Sequence, residues 1–97
     1  MEVNLNQMFR GFKDKPIRDE RTIGDNLAEA LFVGQGVGNK PEEKFAAYKL
    51  LNKIINASGP VELDIDERKM IKSVACASLI PGAYGQIVEL LKLEEVK

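Results

Sequence analysis

Helix punctuation constrains this chain more than any other feature of its sequence. Thr22 precedes Ile23, Leu27, Ala30 and Leu31 at helical spacing, and Asp25 follows it by three residues, the arrangement of a capping box. The spacing predicts a first helix over about residues 23–33, stopped by Gly34. Pro41 followed by Glu42 and Glu43 has the composition of a first helical turn, because proline has no amide to lose there and carboxylates favour the positive end of the helix dipole. That second helix should reach Asn56. On a wheel of about 100° per residue, Ala47, Tyr48, Leu50, Leu51, Ile54 and Ile55 form an apolar arc about 160° wide, with Lys49, Asn52 and Lys53 opposite. Ser58-Gly59-Pro60 breaks the chain, and Asp64 with Glu67 makes a second capping box for a third helix that Pro81-Gly82 ends near Ile80. A fourth helix over about 82–93 buries Ala83, Tyr84, Ile87, Val88, Leu90 and Leu91 and exposes Gln86, Glu89 and Lys92.

Ahead of the helices the apolar period falls to two. Val3, Leu5, Gln7 and Phe9 share one side and Asn4, Asn6 and Met8 the other, which suits a half-buried strand ended by Gly11. Phe12-Lys13-Asp14-Lys15-Pro16-Ile17 sets turn formers between two apolar positions and reads as a hairpin or an edge strand, since Pro16 forbids a central one. Val61-Glu62-Leu63 is available as a third short strand. The fold class is therefore α+β, an N-terminal β-hairpin packed on about four short α-helices. With 97 residues the chain has room for one small globular domain, residues 1–97. Its core should include Leu5, Phe9, Leu27, Leu31, Leu51, Ile54, Ile55, Met70, Val74, Ile87 and Leu91.

Composition narrows the function by exclusion. Histidine is absent, which removes the usual general base, the near-neutral pH switch and imidazole metal ligation, so neither a Ser-His-Asp nor a Cys-His mechanism can be built. Cys76 is the only cysteine, which forbids an intrachain disulfide and a cysteine metal cluster and fits a cytoplasmic setting. The thiol sits among small residues with no basic neighbour and reads as buried and structural. A net charge of −1 provides no global field for polyanions or anionic lipid. Met1-Glu2-Val3-Asn4-Leu5-Asn6 lacks the basic start and apolar core of a signal peptide, and no apolar run nears the ~18 residues of a spanning helix, so export and membrane insertion are not expected.

The motif-like segments fail on detail. Gly34-Gln35-Gly36-Val37-Gly38-Asn39-Lys40 enters a helix, but Asn39 stands where a P-loop needs glycine, and Pro41 offers neither hydroxyl nor amide. A flexible connector accounts for it. Asp64, Asp66 and Glu67 lack the further oxygen ligands and central glycine of a calcium loop, and helix capping explains them. No catalytic, cofactor-binding or metal-ligating residue is assigned, and the chain reads as no enzyme.

Apolar residues in the wrong places are more informative. Ala75, Cys76, Ala77, Leu79 and Ile80 cover nearly every direction of the third helix's last turn, Phe32 and Val33 lie off the apolar side of the first helix, and Phe45 lies off that of the second. Either the fold buries them internally or they form an interface. The interface reading takes Phe32, Val33, Phe45, Cys76, Leu79 and Ile80 as a surface for self-association or for a host or viral protein. The alternative is a nucleic-acid-binding accessory protein using Arg10, Lys13, Lys15, Arg18 and Arg21, a segment whose local surplus is two positive charges. Lys40 and Lys44 fall across the second helix from Lys49 and Lys53 and make no single basic stripe.

Val3-Asn4-Leu5-Asn6, the turn at Pro16, Thr22-Ile23-Gly24-Asp25-Asn26-Leu27, Val61-Glu62-Leu63-Asp64 and Gly85-Gln86-Ile87-Val88-Glu89-Leu90-Leu91 together resemble small uncharacterised proteins of tailed bacteriophages and prophages. The resemblance spans most of the chain and carries no functional residue across. It implies a viral or mobile-element protein of the bacterial cytoplasm, acting in particle assembly or against a host factor.

Overall fold

In the computed structural model, which describes residues 2–14 and 21–92, the chain runs β1 (Glu2–Val3), a 3-10 turn (Phe12–Asp14), α1 (Ile23–Val33), α2 (Pro41–Ile55), β2 (Val61–Glu62), α3 (Ile65–Ser78) and α4 (Pro81–Leu91). Both capping boxes form. Thr22 Oγ1 accepts from the Asp25 amide at 3.1 Å while the Thr22 amide donates to Asp25 Oδ2, and Asp64 and Glu67 exchange the same pair of bonds at 2.7 and 2.9 Å. Gly34 closes α1 in the left-handed conformation, donating to the Ala30 and Leu31 carbonyls. Pro41 and Pro81 occupy first-turn positions of α2 and α4, where a missing amide costs nothing.

Among the described residues the N-terminal strand does not pair with residues 12–14. Phe12–Asp14 is a 3-10 turn with Lys13 at φ 56°, and Lys15-Pro16-Ile17 lie outside the described residues. β1 instead pairs antiparallel with β2, Glu2 opposite Glu62 and Val3 opposite Val61, so the 61–63 segment supplies the second strand and the described residues hold no third. The cause is where the N-terminal carbonyls go. Leu5 and Gln7 accept from the Gly24 and Ile23 amides at 2.8 and 2.7 Å, which satisfies first-turn donors that α1 cannot satisfy itself and draws the chain out of the sheet. Gly24 permits that approach, because a Cβ there would stand 3.3 Å from the Leu5 oxygen.

One core joins the pieces. Val3, Leu5 and Phe9 pack with Leu27 and Leu31 of α1, Leu50 and Ile54 of α2, Ile71 and Val74 of α3, and Ile87 and Leu91 of α4. α1 lies mainly on α2 and partly on α3, and α4 covers α3. Two expected core positions differ: Met70 is half-buried, and Ile55 is 54% exposed. Tyr48 shares the fate of Ile55, because the neighbouring elements cover only the Ala47-Leu50-Leu51-Ile54 stripe of the wider apolar arc of α2.

The connector after α1 is packed rather than loose. The Val37 amide donates to the Gly34 carbonyl at 3.1 Å, and Val37 rests on the core. Gly36, at φ +78°, lies so close to α3 that a Cβ would stand 2.5 Å from the Ser73 carbonyl oxygen.

Candidate interaction surface

The outward faces of α1 and α2 carry Phe32, Val33 and Phe45 of the misplaced apolar residues, and with them Tyr48 and Ile55. α1 turns Leu27, Ala30 and Leu31 inward, which leaves Phe32 and Val33 facing water at 76% and 64% exposure. α2 turns Ala47, Leu50, Leu51 and Ile54 inward, so Phe45 and Tyr48 emerge at 59% and 56%. Their rings stack with centroids 6.2 Å apart, and Lys49 Nζ stands 5.3 Å from the Phe45 centroid. A groove of about 430 Å³ runs between the two helices and the connector, lined by Phe32, Val33, Val37, Lys44 and Tyr48 among others. Exposed aromatic area clustered around a groove is the form that protein-contact surfaces take.

Of the six residues expected to form an interface, the structure therefore brings Phe32 and Val33 to this groove, with Phe45 joined to it through Tyr48. The other three belong to the α3–α4 corner, and none of them lines the groove. Ile80, the N-cap residue of α4, is three-quarters exposed, whereas Leu79 is half-buried against the core. Cys76 is exposed, not buried, because the inward face of α3 is Ile71, Val74 and Ala75. Tyr48 and Ile55 were missed as surface residues. The available signal was the width of the α2 arc, broader than the roughly 100° stripe that packing one helix consumes.

Of the described residues of the basic segment, Arg10 and Arg21 face carboxylates. Arg10 Nη2 lies 3.8 Å from Glu89 of α4, Arg21 bonds Glu29 and Asn26 of α1, and Lys13 Nζ sits 5.6 Å from the Phe12 ring centroid. Lys15 and Arg18 lie outside the described residues. Gln86, expected only as a solvent-facing residue, ties the N-terminal segment down: its carboxamide accepts from the Arg10 amide at 2.8 Å and donates to the Arg10 carbonyl at 2.9 Å. Among the described residues no group of three or more Cys, Asp or Glu side chains is placed to hold a metal ion, and no helix is long and apolar enough to cross a membrane. Compared with known proteins, the chain matches no protein-family model, no curated protein and no solved structure.

Proposed function

We propose that the chain is a non-enzymatic protein-binding or assembly module that acts through the apolar surface of α1 and α2 and self-associates, in the phage or prophage setting its sequence resembles. The observation that carries this reading is that Phe32 and Tyr48, each more than half exposed, line one groove, with the equally exposed Phe45 stacked on Tyr48 beside it. Leaving that much aromatic surface in water forfeits burial worth roughly 1.5–3 kcal/mol per side chain, which a partner recovers. A nucleic-acid role ranks second, because Arg10 and Arg21 already face Glu89 and Glu29.

Light scattering during size exclusion tests the reading. The native chain should elute with a mass above its 10.8 kDa monomer, and Phe45→Asp should return it to that mass with an unchanged circular dichroism spectrum. Leu79→Asp should instead lower the melting temperature, since this side chain packs on the core. A native chain that stays monomeric near millimolar concentration, matched by the Phe45 variant, would end the self-association reading.

A further inference from the structure

Resting on the reading above, we propose that the occupant of the outward face of α2 is a second copy of this chain, lying antiparallel in one register: Phe45 against Tyr48 of the second copy, and Glu42 against Lys49 of the second copy.

The outer face of α2 carries Phe45, Tyr48, Asn52 and Ile55, a 3-4-3 spacing that is the seam of a coiled-coil helix. The stripe on its other side, Ala47, Leu50, Leu51 and Ile54, is already in the core. α2 thus has two apolar seams, one covered and one bare. Charges flank the bare one. Glu42 and Lys49 stand on one edge, seven residues apart, and Lys44 stands on the other. Glu42 makes no ion pair among the described residues, and Lys49 has only the Phe45 ring beneath it.

These flanks choose among the ways two such seams can meet. Parallel pairing sets Lys44 of one copy beside Lys49 of the other, two like charges at the contact. Antiparallel pairing with Phe45 over Ile55 brings the two Lys49 side chains together at the two-fold axis, which is equally unfavourable. Sliding the second helix by one heptad places Phe45 over Tyr48. In that register each Glu42 meets the opposite Lys49, and the two-fold repeats the pair. Asn52 then falls opposite Pro41 at the rim, where its amide keeps its 3.1 Å bond to the Tyr48 carbonyl and stays wet. Ile55 then extends beyond the Pro41 end of the opposite helix.

Charge reversal tests the register directly, because Glu42 and Lys49 are both exposed and neither makes an ion pair among the described residues. Sedimentation equilibrium would be run at low salt on the native chain, Glu42→Lys, Lys49→Glu and the double variant, with circular dichroism confirming that each is folded. The expected result is a native dimer, each single reversal weakening association about tenfold by setting like charges together twice over, and the double reversal restoring it. A native dimer indifferent to the reversals, or one that the double variant fails to restore, overturns this pairing and leaves self-association standing. A native chain that remains monomeric overturns both.

Discussion

Gly34 and Gly36 both sit at positive φ, 82° and 78°, but only Gly36 is pressed against another element. An alanine at 34 has open space and meets only the left-handed backbone penalty, a cost of about 1 kcal/mol. An alanine at 36 meets the same penalty and also the Ser73 carbonyl of α3, so either the connector or the helix must shift, raising the cost to about 2–4 kcal/mol. In a domain of this size each kcal/mol lowers the melting temperature by roughly 4–8 °C, so Gly36→Ala should melt well below Gly34→Ala. Equal losses would show that the connector does not rest on α3. The turn-forming character of these glycines was legible in the sequence, but the contact was not, because the partner carbonyl lies far along the chain. Cys76 was misread for a related reason: small neighbours suggest burial, yet which third of a small-residue helix faces inward depends on where the next helix docks.

The helices were legible because their boundaries are written locally. Thr22 with Asp25, and Asp64 with Glu67, close hydrogen bonds three residues apart, so α1 and α3 start where the residues alone place them. The two strand segments were legible too, but their pairing was not, since β1 and β2 set Val3 opposite Val61 across most of the chain and no residue near either announces the other. Glu67 links the two kinds of information: it caps α3 and also reaches Lys53 of α2 at 2.9 Å. Glutamine at this position keeps the side chain's half of the cap and loses the charge, whereas alanine loses both. Glu67→Gln should therefore cost about 0.2–1 kcal/mol, and Glu67→Ala about 1–2 kcal/mol, read from urea unfolding midpoints at constant slope. If the two variants unfold together, the Glu67 half of the capping box contributes nothing, since the bond from the residue-67 amide to Asp64 is present in both.

At the scale of the whole molecule, a net charge of −1 and a bare aromatic seam make different demands on solvent. The seam could be read only in part, because the wide apolar arc of α2 did not show which portion the fold would leave uncovered; Phe45 was visible as an outlier, while Tyr48 and Ile55 were not. Association through that seam is dominated by apolar burial, which salt does not screen, with the Glu42 and Lys49 contacts adding a smaller share that it does. Raising salt from about 0.05 to about 0.5 M should then weaken self-association by less than roughly tenfold, since only exposed ion pairs are lost. Nucleic-acid binding through five basic residues would behave otherwise, losing about four decades of affinity over the same range through counterion release. Sedimentation of the chain alone and anisotropy of a labelled oligonucleotide, both taken across the salt series, separate the two. Self-association that collapses with salt would mean that charge, not the α2 seam, holds the copies together, whereas a dimer that persists while the oligonucleotide signal stays flat places the attraction in Phe45, Tyr48 and their neighbours.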